Sequence, residues 1–438
     1  MPGLEHPLPG ALVAESVTPE GRDLVTPAAA TSAAPGGADP RRSPVLPWAD
    51  RPIVPGLIAL TAAVAFVLAR WQTWARGSIS RFILIGRHFA TPSQLPHGIP
   101  VAPTYGYDGQ FYYRLALDPL NFRTTAYGIR MDQPYRFMRI GYPALTWLVS
   151  LGQHLAVPVM LVAVNVVAIG AMGWLGGIFA RQAGRHALAG LLLPGYFGLI
   201  TSLSRDTAEP LAAACLLGGL LAIRARRPVL AALLLTYGAL TRETVMVAVA
   251  AIAVVRAAGI IRGQQSARPS RDDLPWLVPA VAFAVWQVVL KAATGSFTLF
   301  ADSGRNAGTP FIAPLRALES NLARINLHQF DQIDLWLLEL AILAAFTTAA
   351  LACLRSTSAP AHERLAFVLF LIEICVVTPS TWNSLDADLR SFVEVYLLAV
   401  IILLGTTRRS LGARLLPYLA AFTLPALVVV TQRRLIGS

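Results

Sequence analysis

From residue 53 onward the chain is a succession of apolar runs, each closed by a short polar turn that carries arginine or a carboxylate. The first run covers Ile53 to about Ala69. After Tyr142-Pro143 the others follow at about 144–152, 155–180, 187–203, 207–223, 228–240, 243–261, 274–294, 335–354, 364–380, 391–406 and 414–431. Runs near twenty residues match the hydrocarbon thickness of a bilayer and predict spanning helices. The 144–152 run is too short to cross and reads as a re-entrant or interfacial piece; 228–240 is short for a span. The pattern therefore predicts an all-α, polytopic transmembrane helical bundle of about 11 spans.

Two regions depart from this pattern. Residues 1–48 are rich in Pro, Ala, Gly, Ser and Thr and hold no continuous apolar core, which predicts a disordered cytoplasmic tail without the pattern of a signal peptide. Residues 49–438 form the transmembrane domain, and within it the 70–142 connection is polar, aromatic and Pro-rich and far longer than an ordinary helix connection. Loops of that size usually carry function. Inside it, Ser78 to Ala90 is expected to lie along the membrane surface or to hold a short strand at Phe82 to Ile85. Phe111 and Leu115, with Gln110 and Arg114 between them, predict a short amphipathic interfacial helix.

Charge orders the turns. Arg41, Arg42 and Arg51 precede the first run and hold the N-terminus in the cytoplasm by the positive-inside rule. Threaded from there, Arg181 and Arg185, Arg224, Arg226 and Arg227, Arg262, Arg268 and Arg271, Arg355 and Arg364, and Arg408 and Arg409 also become cytoplasmic. Arg205 and Asp206, Arg242 and Glu243, Asp302 and Arg305, and Asp386, Asp388, Arg390 and Glu394 share the outer face with Asp108. Arg433 and Arg434, at the outer C-terminus, run against the rule. Arginine-only turns on one side and mixed acid and arginine turns on the other are what an active site at the extracytoplasmic surface requires.

The chain of 438 residues is 55% hydrophobic and 14% charged, which excludes a soluble globular protein. A net charge of +12 would suggest nucleic acid in a soluble protein. Here the arginines sit at the ends of apolar runs, where they set topology or meet membrane lipid phosphates, and no nucleic-acid partner is expected. Lys291 is the only lysine, a bias that a GC-rich bacterial genome produces by itself. Cys215, Cys353 and Cys375 lie in apolar runs without paired spacing, so neither a disulfide framework nor a zinc site is indicated. No Gly-rich phosphate loop appears, and no nucleotide cofactor is expected.

The candidate chemistry starts at Tyr105-Gly-Tyr-Asp-Gly-Gln-Phe-Tyr-Tyr-Arg-Leu-Ala-Leu-Asp-Pro119. Asp108, between Tyr107 and Gly109, reads as a carboxylate presented at the interface, or as an ordinary turn residue, since Tyr-Asp-Gly also favours a turn. Asp118, before Pro119, marks a helix end or supplies a second acidic group. Asp132, Arg136 and Arg139 precede the re-entry into the membrane and bind a lipid phosphate or anchor a helix among headgroups. Asp206 and Glu209 have the spacing of a capping box. Arg242 and Glu243 are a structural pair or a substrate clamp in a tight turn. Arg390 and Glu394 are expected on one helical face at i and i+4. Asn165, Gln287, Glu339 and Glu373 stand alone in apolar runs, where interhelical hydrogen bonds account for them.

The segment Tyr107-Asp-Gly-Gln-Phe-Tyr-Tyr-Arg-Leu-Ala resembles the first outer loop of GT-C superfamily glycosyltransferases, especially the Trp-Asp-Gly-x-Trp-Tyr-x-x-Ile-Ala pattern of PIG-V-type mannosyltransferases. It is also similar to a group of bacterial membrane proteins that pair Tyr-Asp-Gly-Gln-Phe-Tyr with Leu-Thr-Arg-Glu-Thr, here Leu240 to Thr244. Tyr107 replaces the usual Trp, and the Asp-Glu pair of the protein O-mannosyltransferases is absent. The resemblance implies a GT-C-like bundle in the bacterial cytoplasmic membrane. It implies transfer of a sugar from a polyprenyl-phosphate donor to a glycan, lipid or protein acceptor on the outer side. In that reaction Asp108 is the expected general base, with a pKa raised by its aromatic surround. Tyr107, Gln110, Tyr112, Arg114, Asp118, Arg136, Arg139, Arg205, Asp206, Arg242, Glu243, Arg390 and Glu394 are the expected substrate contacts, and Arg242, Arg390 or a loop arginine faces the departing phosphate. A metal is optional. The alternatives are a transporter or lipid flippase, whose charges would lie deep in several spans, and a non-catalytic scaffold.

Overall fold

The computed structural model describes residues 47–301, 309–324, 332–382, 389–407 and 410–437. The expected tail up to residue 46 and the candidate groups Asp302, Arg305, Asp386, Asp388, Arg408 and Arg409 lie outside the described residues. In chain order the helices are α1 (Ile53–Gln72), α2 (Gly109–Leu117), α3 (Gly141–Val149), α4 (Val157–Gln182), α5 (Phe197–Ser204), α6 (Glu209–Arg224), α7 (Pro228–Thr241), α8 (Val245–Ile261) and α9 (Leu274–Thr294). They continue with α10 (Thr298–Ala301), α11 (Ile312–Leu322), α12 (Gln332–Cys353), α13 (Ala361–Val376), α14 (Pro379–Trp382), α15 (Val393–Leu404) and α16 (Leu411–Ile436). Among the described residues five of them, α1, α4, α9, α12 and α16, are long and apolar enough to cross a membrane. The chain is thus mostly helical and consistent with a membrane protein.

Most apolar runs become helices within a few residues of the expected bounds, but 187–203 does not form one element. It divides into a 3-10 turn, Ala187–Leu192, and α5. Pro194 has no N–H to continue a helix, and Gly190 is pressed against the backbone of α4, where an added Cβ would collide with Gly176 and Gly177. Small residues also seat α1 on α4: a Cβ on Gly177 would lie 2.7 Å from the Pro52 carbonyl oxygen. Without a strong hydrophobic force between helices in lipid, such close backbone approach is what holds them together.

Arginines tie the two ends of the bundle differently. At one end Arg181 pairs with Asp50, and the Arg185 Nε donates to the Leu404 carbonyl at 2.7 Å, satisfying the orphan C-terminal carbonyls of α15. There too Arg224 Nε reaches Glu363 at 2.7 Å. At the other end, Arg70 Nη1 donates to the Gly437 carbonyl at 3.1 Å and Thr73 to the Leu435 carbonyl at 2.7 Å, so α1 and α16 finish side by side.

The connection after α1 is folded rather than laid on a surface. A 3-10 turn, Ile79–Ile83, leads into β1 (Ile85–Gly86), which pairs in parallel with β2 (Val101–Ala102). The expected strand at Phe82 to Ile85 therefore begins three residues later, because Phe82 and Ile83 are fully buried in the preceding turn. Strands β3 (Thr125–Ala126) and β4 (Ile129–Arg130) form a hairpin around Tyr127-Gly128, both with positive φ, the geometry of a two-residue turn. All of α2 is buried, so it is a core element of the loop and not a helix exposed at an interface.

Candidate active site

The backbone that carries Asp108 is fixed before its side chain meets anything. Tyr107 N–H donates to the Leu84 carbonyl at 2.9 Å, and the Gln110 amide bridges two strands of loop, accepting from Gly86 N–H and donating to the Tyr105 carbonyl, each at 3.1 Å. A Cβ on Gly109 would run into the Arg205 carbonyl oxygen and lie 2.8 Å from that of Ile83. The glycine is there for close approach, not for flexibility. Gly109→Ala is expected to cost at least about 1 kcal/mol by forcing the loop off the α5–α6 turn, measured as a lower thermal midpoint in detergent.

From that position Asp108 enters a chain of alternating charge. Its Oδ1 lies 2.8 Å from Arg136 Nη1, and its Oδ2 accepts from Arg390 Nη2. Arg136 also forks onto Asp132 through two 3.0 Å bonds. Arg390 donates Nε to the Tyr107 hydroxyl at 2.8 Å and Nη1 to Glu209. Glu209 lies 4.0 Å from Arg242 Nε, and Arg242 Nη1 donates to both oxygens of Glu394 at 2.8 and 3.1 Å. Thr244 adds a 2.6 Å bond to Glu394. Beside this chain Arg139 grips Glu243 with two bonds, at 2.8 and 2.5 Å. The groups come from the loop, the start of α6, the α7–α8 turn, the 3-10 turn Arg390–Phe392 and the first turn of α15.

They enclose a cavity of about 630 Å³, lined by Tyr107, Asp108, Gln110, Asp132, Arg136, Arg139, Glu209, Arg242, Glu243, Glu373, Arg390 and Glu394 among others. Tyr107 is gripped from two sides, with the guanidinium of Arg205 4.1 Å from its ring centre and that of Arg390 4.8 Å. Arg136 covers Phe111 at 4.6 Å and Tyr135 at 4.7 Å.

The expected rise in the Asp108 pKa is corrected by this geometry. Burial alone would push the carboxyl up, but Arg136 and Arg390, with Arg139 beyond them, outweigh it and hold it well below the usual carboxylate range. Glu243 behaves alike: burial raises it, and Arg139 pulls it down to about 2. Burial likewise opposes the charge on Arg136 and Arg139, but Asp108 and Glu243 keep these guanidiniums charged.

Nine of the expected residues thus line one cavity: Tyr107, Asp108, Gln110, Arg136, Arg139, Arg242, Glu243, Arg390 and Glu394. Tyr112 stands behind them, its hydroxyl 3.5 Å from Arg139 Nη1, and Arg205 acts through the Tyr107 ring. Arg114, Asp118 and Asp206 do not reach the cavity. Arg114 is buried and donates to the carbonyls of Asn121 and Arg123, and Asp118 accepts from Asn121 at 3.3 Å, so both fasten the chain after α2. Asp206 is fully buried at positive φ, with no hydrogen bond to either carboxylate oxygen among the described residues.

Three pairings also differ from those expected. Arg242 and Glu243 do not pair with each other, since neighbours in an extended turn diverge; each takes a partner from a distant segment. Arg390 lies in a 3-10 turn ahead of α15, so it meets Asp108 and Glu209 and not Glu394. The N-cap of α6 is Ala208, without a side-chain cap, and Glu209 turns to Arg390 and Ser202 instead of closing a capping box with Asp206.

Glu209 and Glu373 are the cavity groups that sequence reasoning missed. A lone carboxylate in an apolar run is itself a functional signal, and Glu373 carries it. Interhelical hydrogen bonds do not account for Glu373, which has no hydrogen-bond or ion-pair partner among the described residues. No group of three or more His, Cys, Asp or Glu is placed to hold a metal ion among the described residues. The chain matches no protein-family model and no curated protein.

Proposed function

We propose that the protein is a polytopic membrane glycosyltransferase of the bacterial cytoplasmic membrane, moving a sugar from a polyprenyl-phosphate donor to an acceptor hydroxyl at the extracytoplasmic face. The observation that carries this reading is the convergence of Asp108 with Arg390, Glu209 and Arg242 in one cavity, from segments up to 282 residues apart. A loop carboxylate held among guanidiniums and aromatics at one end of a helical bundle fits the GT-C resemblance of Tyr107 to Ala116. The shorter apolar helices α6, α7, α8, α13 and α15 bring the bundle toward the expected count of about 11 spans, with some crossing only part of the bilayer. The arginine-rich end of α4, α6 and α15 is then cytoplasmic, and the cavity faces outward.

In this reading Asp108 remains ionised throughout. It accepts a hydrogen bond from the sugar or acceptor and opposes the positive charge that grows at the anomeric carbon. The departing phosphate faces Arg136 and Arg139. Their side chains are 11% and 13% exposed and accessible from the cavity, whereas Arg242, at 4%, is spent on Glu394 and Glu209. Each guanidinium has five N–H groups, so Arg139, bound to a single carboxylate, retains donors for a phosphate oxygen.

The test is Asp108→Asn in purified protein, offered radiolabelled polyprenyl-phosphate hexoses and pentoses with isolated membranes as acceptor source. Transfer is expected to fall about 10²-fold with the fold retained. Full transfer by the variant overturns the assignment of Asp108, and no transfer by the wild type from any of these donors overturns the reading.

A further inference from the structure

Transfer to a hydroxyl needs a group to take its proton, and the ion pairs of the cavity restrict which carboxylate is able to do so. Asp108 is shared by Arg136 and Arg390, and Asp132 is forked by Arg136. Glu209 is held by Arg390, Glu243 by Arg139, and Glu394 by Arg242 and Thr244. A proton placed on any of them discharges at least one ion pair in a site largely removed from water, which is costly.

Glu373 is the exception. It lies on the face of α13 that also presents Phe370 and Ile374 to the cavity, at the spacing of adjacent helical turns, with Val377 just past the helix end beside them. Among the described residues it forms no ion pair and no hydrogen bond. The charged groups that face it are Glu394 of α15 and Arg242 and Glu243 of the α7–α8 turn. All three are already bound to other partners.

We propose that Glu373 is the base that accepts the proton of the acceptor hydroxyl. This rests on the glycosyl-transfer reading of the cavity. The acceptor O–H bond breaks and its proton passes to the Glu373 carboxylate. The freed electron pair forms the new bond to the anomeric carbon, while the bond from that carbon to the phosphate oxygen breaks and its electrons leave with polyprenyl phosphate. Glu373 then returns the proton to water entering the cavity. Accepting the proton there breaks no ion pair, and the apolar side chains on either side of Glu373 keep bulk water from competing with the acceptor.

Two measurements on the full chain in nanodiscs test this. First, N,N′-dicyclohexylcarbodiimide, which modifies carboxyl groups that take up a proton in apolar surroundings, is expected to label Glu373 ahead of every other cavity carboxylate, as mapped by mass spectrometry. Labelling of Asp108, Glu209 or Glu394 in its place overturns the proposal without any assay of transfer. Second, with the labelled donors used above, Glu373→Gln is expected to lower turnover about 10²-fold at an unchanged donor KM, and to abolish the acid limb of the pH–rate profile. Glu373→Asp is expected to keep that limb at reduced rate. A wild-type enzyme that transfers sugar while Glu373→Gln keeps both rate and profile overturns the assignment of the base alone. Absence of transfer by the wild type removes the reading on which it stands.

Discussion

Arg390→Ala is expected to destabilise the protein by about 3–5 kcal/mol, the cost of leaving a buried ion pair half-empty. Arg390 is one guanidinium with three acceptors: Asp108, Glu209 and the Tyr107 hydroxyl. Its removal takes a guanidinium from two carboxylates at once. Glu209, whose side chain is only 2% exposed, has no water to turn to, and its other guanidinium neighbour, Arg242, stands 4.0 Å away. Asp108 keeps Arg136 and is 19% exposed, so it contributes the smaller share of the loss. Arg390→Lys retains the charge but not the planar fork, and a single ammonium serves three acceptors poorly, so an intermediate loss is expected. Thermal unfolding of the purified variants in detergent measures both. Midpoints within a degree of the wild type for Arg390→Ala would mean that the charge chain is not formed.

The helical scaffold was legible in the sequence because the apolar runs are set by the solvent. A helix that faces lipid must be apolar along its whole length, and the bounds of α1, α4, α9 and α12 follow from that requirement alone. The same signal misleads where a run is apolar for packing and not for lipid. The 187–203 segment is as hydrophobic as a span, yet Pro194 and the contact of Gly190 with α4 divide it, and neither changes the hydropathy.

The site was legible in its membership more than in its wiring. Charged residues at the ends of apolar runs are costly enough to be informative, and that singled out Arg242, Arg390 and Glu394, while the aromatic surround of Asp108 in an overlong loop singled out that carboxylate. Which carboxylate meets which guanidinium depends on the packing of segments more than a hundred residues apart, as for Arg139 with Glu243 and Arg242 with Glu394. Sequence adjacency suggested Arg242 with Glu243 and Arg390 with Glu394, and tertiary structure overrode both. The direction of the Asp108 pKa was misjudged for the same reason. The flanking tyrosines are visible in the sequence and argue for desolvation, while the two guanidiniums that outweigh it arrive from residues 136 and 390.

The wiring also makes the protein acid-sensitive in a defined interval. Burial alone would raise the Glu243 pKa, but the field of Arg139 and its two hydrogen bonds bring it down to about 2 in the folded chain. An exposed glutamate titrates near pH 4.3, so between these values the unfolded chain binds more protons than the folded one, and stability rises with pH there. The contribution is complete above about pH 5 and lost as the pH falls toward 2; a shift of that size corresponds to about 3 kcal/mol. Asp108, held lower still by Arg136 and Arg390, adds to the loss in the same direction at more acid pH. Glu243→Gln removes one of the two groups. Its midpoint is expected to be lower than that of the wild type at pH 7, where the ion pair is intact, and the two curves are expected to converge as the pH is lowered from 5 to 3. Thermal midpoints of both proteins across that range measure the convergence. Parallel curves would mean that Arg139 does not hold Glu243 in its ionised form.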